Sequence, residues 1–145
     1  TLPTMHRLAS VYSAQQKEDD AKEILTSITG VATGFVKTFN SARAQEILEP
    51  HLVMCNKILG MLHPHTLLVT RALADVLRER NSYKRARKLY ERCLARQKIV
   101  LGISSSETLS SMDSLAALAK LQGDLSQAIN LYQECLHQRE AILGL

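Results

Sequence analysis

Histidine and cysteine are the residues of this sequence that could bind a metal ion. His63 and His65 lie two positions apart, and His51 lies one helical turn before Cys55. Imidazole and thiolate groups are ligands that zinc prefers, but a structural zinc site needs four of them. No second pair has a matching spacing, so we predict no metal site and no cofactor. His63 and Pro64 are explained more simply as the loop and first turn of a helix.

Nucleophilic catalysis is the second chemistry to consider. Cys93 and Cys135 fall on an apolar helical stripe, where buried packing explains a cysteine better than reactivity does. The serine run 104–106, followed by Glu107, is typical of a helix N-terminus rather than of an active site. The sequence also contains no glycine-rich phosphate loop. We therefore predict that the chain is not an enzyme.

The composition is that of one globular domain. The 145 residues suffice for a single core, and 46% hydrophobic with 22% charged residues excludes a disordered chain. Six glycines and three prolines are too few for the turns of an all-β fold. No apolar run reaches the roughly 20 residues of a membrane span, and no secretion leader is recognisable. Three widely spaced cysteines indicate a reducing compartment, so we predict a cytoplasmic protein.

The sequence repeats itself every 42 positions. The matching pairs are Thr66-Leu67 with Thr108-Leu109, Leu73-Ala74 with Leu115-Ala116, Leu89-Tyr90 with Leu131-Tyr132, Cys93-Leu94 with Cys135-Leu136, and Leu101-Gly102 with Leu143-Gly144. Each unit has two apolar stripes of helical spacing, and turn residues around Asn81 and Gly123 separate the stripes. Residues 63–103 and 105–145 are therefore predicted to form two helical hairpins.

The first third, residues 1–62, follows the repeat less regularly. A third copy of the second helix aligns over residues 44–60, and we expect Pro50 to kink it. Residues 17–39 fit two registers, which leaves open whether they form one helix or two. The predicted fold is a single all-α domain over residues 1–145, an α-solenoid of about seven antiparallel helices with an irregular first third.

Basic residues are concentrated in one segment. Nine of the eighteen lysines and arginines lie within residues 78–98, although the net charge is only +4. The side chains of five of these residues, which we call the basic face, are Lys84, Arg85, Lys88, Arg92 and Arg96. A solvated helix face explains the cluster best, and electrostatic binding of an acidic partner is the alternative. Nucleic-acid binding is not expected, because no exposed aromatic residues interleave with the charges.

The central unit also carries a recognisable set of residues. They are His63-Pro64, Thr66-Leu67, Leu73-Ala74, Tyr83, Ala86, Leu89-Tyr90-Glu91, Leu94 and Leu101-Gly102. This pattern resembles a tetratricopeptide repeat (TPR) of the 42-residue form found in kinesin light chains. Residues 105–145 are similar, with Ser105-Ser106 in place of histidine and proline. The resemblance implies an α-solenoid whose first helices line a concave groove for a peptide or a partner helix.

The resemblance also implies which residues face the groove. Carried over by position, they are Thr29, Thr33, Leu68, Arg71, Asp75, Arg78, Asp113, Ala117 and Lys120. Kinesin light chains commonly have an asparagine before the Leu-Ala pair, where it clamps a peptide backbone. Ala72 and Ser114 stand there instead, so that clamp is missing or reduced. The residues that grip acidic chaperone tails are absent as well, so chaperone-tail binding is not expected.

These observations favour a non-catalytic protein-interaction module of an adaptor or scaffold. The expected partner is a protein segment of mixed or acidic character, and we expect further repeats to follow. The alternative is a regulatory helical domain of a larger enzyme, since the carboxyl-terminal helices of SET-and-MYND methyltransferases resemble such repeats. We expect Tyr90 and Tyr132 to fill the space between hairpins. Leu131, Leu136 and Leu143 would form an open apolar surface that allows self-association.

Overall fold

The computed structural model describes residues 2–14, 19–28 and 41–144, and these ranges are helical apart from short connections. The helices are α1 (Leu2–Ala14), α2 (residues 19–28), α3 (Ser41–Ile58), α4 (Pro64–Glu79), α5 (Tyr83–Val100), α6 (Ser106–Leu121) and α7 (Leu125–Leu143). Over these ranges there is no β-strand. The predicted all-α fold is confirmed, and the described ranges contain seven helices.

The 42-residue repeat of the sequence is also a repeat of the backbone. Helices α3, α5 and α7 begin at residues 41, 83 and 125, and α4 and α6 begin at 64 and 106. The second helix of each unit is followed by a glycine with positive φ, at Gly60 (+89°), Gly102 (+88°) and Gly144 (+75°). A left-handed residue reverses the chain at the lowest cost when it is glycine. A left-handed glycine thus ends the second helix in all three copies of the repeat.

Each hairpin consists of two antiparallel helices in close contact. The Cys93 thiol near the end of α5 donates to the Leu67 carbonyl near the start of α4 at 3.4 Å. The equivalent Cys135 thiol donates to the Leu109 carbonyl at 3.7 Å. The small residues at the helix crossings are all buried, namely Ala74, Ala86, Ala116 and Ala128. Because these side chains are short, the paired backbones can approach each other.

Consecutive helices pack in order from α3 to α7, and α4 also contacts α6. The continuous aliphatic core between them includes Leu48, Leu73, Leu77, Tyr90, Met112 and Leu118. Tyr90 fills the space between hairpins as expected. The same expectation was wrong for Tyr132, which is 42% exposed because none of the described helices packs against its side of α7.

The first third has a smaller core of its own. Ala9, Ala21, Leu25 and Ile28 form a buried cluster with Met54 and Ile58 of α3 packed against it. Helix α3 runs through Pro50 without ending. Residues 19–28 are helical, whereas residues 15–18 and 29–40 lie outside the described ranges. The choice between one helix and two over residues 17–39 therefore stays a prediction.

Candidate partner-binding groove

The predicted groove residues of the two hairpins lie on corresponding faces of α4 and α6. On α4 they are Leu68, Arg71, Asp75 and Arg78, and on α6 they are Asp113, Ala117 and Lys120. Their spacing of three and four residues puts each set on one side of its helix. None of them is buried, while the residues on the opposite side of each helix form the core. Thr29 and Thr33 lie outside the described residues.

Asp75 is held by partners within its own hairpin. It accepts a hydrogen bond from the Tyr90 hydroxyl, and the Arg78 guanidinium lies 4.0 Å from its carboxylate. Burial and the Asp75 charge together raise the pKa of Tyr90, so the phenol remains a donor at neutral pH. The Asp75 carboxylate therefore has less capacity to bind an incoming cation, while Arg71 forms no ion pair with a described residue.

Asp113, one repeat later, is also partnered internally. Its carboxylate accepts from the Arg139 guanidinium at 2.6 Å, across the hairpin from α7 to α6. Lys120 is exposed and takes part in no ion pair with any described residue. Because both groove carboxylates already have partners, the charges left for a ligand on this face are mainly positive. That balance favours a partner segment that carries carboxylates.

A cavity of about 220 Å³ opens beside the start of α4. Its apolar wall includes Leu67, Leu68 and Leu101, and its polar lining is His65, Arg71, Gln97 and Glu107. Gln97 is only 2% exposed. Gln97 was not predicted as a site residue, because it belongs to no chemical motif of the sequence. The one available signal was its register, which puts a polar residue on the buried stripe of α5.

Known proteins share this architecture. The family model of the tetratricopeptide repeat matches residues 83–141. The crystal structure of BtubC (BKLC) from P. vanneervenii superimposes with a TM-score of 0.72 at 15% identity, over 94% of this chain and 61% of that one. A Podosopora anserina protein with nearly identical TPR-like repeats, assigned as a kinesin light chain, gives 0.63 at 22% identity, over 97% and 75%. No curated protein matches the sequence.

The chain has the fold of a tetratricopeptide-repeat (TPR) array. Its fold is the one of kinesin-light-chain-like repeats, as the resemblance implied. The chain spans about three fifths of the length of the BtubC structure. TPR arrays present a large surface with little enclosed volume, which makes them protein-interaction modules.

The basic face of the chain is partly neutralised by neighbouring hairpins. Arg85 of α5 binds Glu49 of α3 at 2.7 Å, and this contact holds the pKa of Glu49 below its usual value. Arg96 is half-buried, and its guanidinium lies 3.4 Å from the Met61 sulfur. The remaining members of the face are exposed and form no ion pair with a described residue, namely Lys84, Lys88 and Arg92.

The three cysteines of the chain are buried free thiols. Burial raises the pKa of both Cys93 and Cys135 to about 11, and the neighbouring Asp113 adds to the effect at Cys135. A thiol with such a pKa is protonated at neutral pH and is a poor nucleophile. The packing role predicted for these two residues is therefore supported by their burial and by their contacts with backbone carbonyls.

The histidines considered as metal ligands contact one another instead. His51 is buried, its Nδ1 lies 2.7 Å from Nε2 of His6, and its Nε2 lies 3.6 Å from the Cys55 sulfur. His63 caps α4 by accepting from the His65 amide at 3.2 Å. Among the residues that the structure describes, no group of three or more His, Cys, Asp or Glu side chains could hold a metal ion.

Helix α7 presents an apolar stripe to solvent. The exposed residues on it are Leu125, Ile129, Tyr132, Leu136 and Leu143. Leu131 was expected to be open as well, but it is buried in the core of its hairpin. In the described part of the chain, no helix combines the length and the apolar character that crossing a membrane requires.

Proposed function

We propose that the chain is a non-catalytic interaction module of an adaptor or scaffold protein, which holds a peptide or helix of its partner along α4 and α6. The observation that carries this proposal is the solvent-facing side shared by the two first helices. An exposed leucine, Leu68, lies on it together with the cations of Arg71, Arg78 and Lys120. An apolar anchor within a charged surface is the usual composition of a peptide-binding groove.

The charges of this groove favour an acidic segment. Asp75 and Asp113 are both engaged by internal donors, so they repel an incoming carboxylate less than free aspartates would. The cations share this face with the apolar positions Leu68 and Ala117. We therefore expect the preferred peptide to combine apolar residues with aspartate or glutamate.

The experiment is selection from a random peptide library on the immobilised chain. The groove variant is Arg78→Glu with Lys120→Glu, and the matched control is Lys84→Glu with Lys88→Glu, which changes the net charge by the same amount on the outer face of α5. We expect the groove variant to lose the acidic peptides that the wild type selects and the control to keep them. A groove variant that selects the same peptides would contradict the proposal.

Electrostatic binding through residues 78–98 is the second candidate, and the exposed charges of Lys84, Lys88 and Arg92 favour it. The same library separates the two. If the outer face is the site, the control variant loses its peptides and the groove variant keeps most of them. Binding through exposed charges should also weaken steeply with added salt, whereas a groove with an apolar anchor should respond less.

The exposed stripe of α7 supports self-association of the module. Apolar patches of this kind on a protein surface commonly mark an interaction site. We expect Leu136→Lys to reduce any dimer seen in sedimentation equilibrium. The matched control is Asn130→Lys, which adds the same charge at an exposed position of α7 outside the stripe and should leave the dimer unchanged. A dimer that both variants keep would argue against this surface.

The three buried free thiols bear on where the protein works. They are compatible with a reducing compartment, because an oxidising one favours disulfides. We therefore propose that the protein works in the cytoplasm, and fractionation of cells that express the tagged protein tests this proposal.

A further inference from the structure

Three polar atoms around the cavity at the start of α4 have no hydrogen-bond partner among the described residues. They are Nε of Arg71, Oε1 of Gln97 and Nδ1 of His65, and all three atoms are buried. Each of their residues lines the cavity. A buried polar group without a partner is costly, and native proteins usually satisfy such groups. Three of them around one opening indicate a site that a ligand completes.

In the hairpin α6–α7, the residues at the positions of Arg71 and Gln97 are each other's partners. One repeat later, Arg71 corresponds to Asp113 and Gln97 corresponds to Arg139. Asp113 and Arg139 bind each other at 2.6 Å and so satisfy one another. In the central hairpin the cation lies on the first helix and a neutral amide lies on the second, and Arg71 Nε–H and Gln97 Oε1 form no hydrogen bond with each other. Of these two hairpins, only the central one therefore has an Arg71 donor and a Gln97 acceptor that a ligand could bind.

We propose that this cavity receives the side-chain carboxamide of an asparagine or glutamine from the partner peptide. The inference rests on the proposed groove, because Leu68 and Arg71 belong to both. Arg71 Nε–H can only donate, and it needs an acceptor such as the carboxamide oxygen. Gln97 Oε1 can only accept, and it needs a donor such as the carboxamide NH₂. One carboxamide group offers both.

The surrounding charges favour a neutral ligand group over a carboxylate. Glu107 also lines the cavity, and its charge opposes the attraction that Arg71 would exert on an anion. A carboxylate offers no donor to Gln97 Oε1. A purely apolar side chain would contact the leucines but would leave both polar groups unpaired. The carboxamide therefore fits the lining better than either alternative.

The test uses three small probes that share the same backbone: N-acetyl-glutamine methylamide and its glutamate and methionine counterparts. Each is titrated into the full chain while the ¹⁵N-coupled proton signals of the Gln97 NH₂ and Arg71 Nε–H are recorded. We expect the glutamine probe to shift both signals and to bind about fivefold tighter than the methionine probe, which is the effect of about one net hydrogen bond.

Two variants control for the position of binding. Gln97→Leu removes the acceptor and should abolish the response of the Arg71 signal, with folding checked by circular dichroism. Arg139→Met changes the equivalent position in the other hairpin and should leave the response intact. Equal responses to all three probes would overturn the proposal, since they share only backbone amides. Tighter binding of the glutamate probe, or no response to the glutamine probe, would overturn it too.

The outcome is independent of the groove experiment. The probes report on the cavity alone, whereas the peptide library with Arg78→Glu and Lys120→Glu reports on the groove. A carboxamide response together with unchanged peptide selection would overturn the groove proposal and not the chemistry of the cavity. Loss of peptide selection without a carboxamide response would overturn only the inference about the cavity.

Discussion

The hairpins α4–α5 and α6–α7 have the same backbone but different neighbours. Tyr90 of α5 is fully buried because α6 packs against its helix, while Tyr132, at the same position of α7, is 42% exposed. Leu94 and Leu136 differ in the same way, buried in α5 and exposed in α7. The repeat thus determines where a side chain points, and the next helix determines whether it is part of a core.

Polar residues at equivalent positions also differ between the copies. His51, Cys93 and Cys135 occupy the same place in α3, α5 and α7 and are all buried. Gln97 and Arg139 also correspond, yet the Oε1 of the first is buried without a partner among the described residues and the second forms an ion pair. Identical geometry thus supports different chemistry, and the differences between copies identify positions worth testing.

The largest expected effect separates the two tyrosines. Tyr90→Ala should lower the free energy of unfolding by about 3–5 kcal/mol, because it leaves a cavity in the core and removes the donor to Asp75. Tyr132→Ala should cost less than about 1 kcal/mol, since its ring is half exposed. Urea denaturation of both variants measures the difference.

A conservative variant keeps this prediction interpretable if Tyr90→Ala does not fold. Tyr90→Phe retains the packing and removes only the hydroxyl, so we expect a loss of about 1 kcal/mol. If the two alanine variants were equally stable, burial of Tyr90 by α6 would contribute nothing, and the contrast between the hairpins would be wrong.

The next effect tests the position shared by His51 and the two cysteines. Burial, together with the charge of His6, lowers the pKa of His51 from 6.5 to about 4. The folded chain therefore holds His51 as the neutral ring. The contribution of this ring to the free energy of unfolding has its full value above pH 6.5. It is lost as the pH falls from 6.5 towards 4, and the loss amounts to at most about 3 kcal/mol.

His51→Cys is the matched variant, because cysteine occupies this position in α5 and α7. The Cys93 thiol, with a pKa of about 11, does not titrate in the acidic range. We expect the variant to lose less stability than the wild type between pH 6.5 and 4, as measured by urea denaturation at several pH values. Parallel pH profiles would show that His51 is not the titrating group. Carboxylates elsewhere titrate equally in both proteins and cancel in the comparison.

The periodicity of the sequence was sufficient to predict most of the fold. The 42-residue spacing predicted two helical hairpins over residues 63–103 and 105–145, and the structure has α4 to α7 in these ranges because each apolar stripe is buried by its own partner helix. It also predicted the turns around Asn81 and Gly123 and the helix start at His63 and Pro64. The first third was harder because residues 17–39 fit two registers of the repeat, although α3 follows the 42-residue period.

The candidate site was less accessible from the sequence. Periodicity indicated the face of α4 and α6, but the bond from Tyr90 to Asp75 and the bridge from Arg139 to Asp113 depend on side-chain conformations across the hairpin. The cavity beside Gln97 depends on the packing of three helices. Such features arise from non-local contacts, which a pattern of residue types along one helix does not specify.

The third effect in size separates Gln97 from Arg139. Gln97→Leu should raise the free energy of unfolding by about 1 kcal/mol, because it replaces a buried unpartnered amide by an apolar group of similar size. Arg139→Leu should lower it by less than about 1 kcal/mol, as expected for a half-exposed ion pair. Changes of opposite sign in the free energy of unfolding, measured by thermal or urea denaturation, would support the difference between the two positions. A destabilised Gln97→Leu would mean that the Gln97 amide is already satisfied in the free protein.

The smallest difference concerns the turn inside each hairpin. Asn81 (φ +62°) and Gly123 (φ +82°) occupy equivalent left-handed positions, and a side chain at Gly123 would meet no neighbouring atom within 4 Å. Gly123→Ala should therefore cost about 1 kcal/mol through backbone strain alone. Gly123→Asn should cost less than half as much, because asparagine tolerates this conformation, as Asn81 shows. If asparagine and alanine at position 123 were equally destabilising in urea denaturation, the two turns would not be interchangeable. The two hairpins would then be equivalent in their helices but not in their turns.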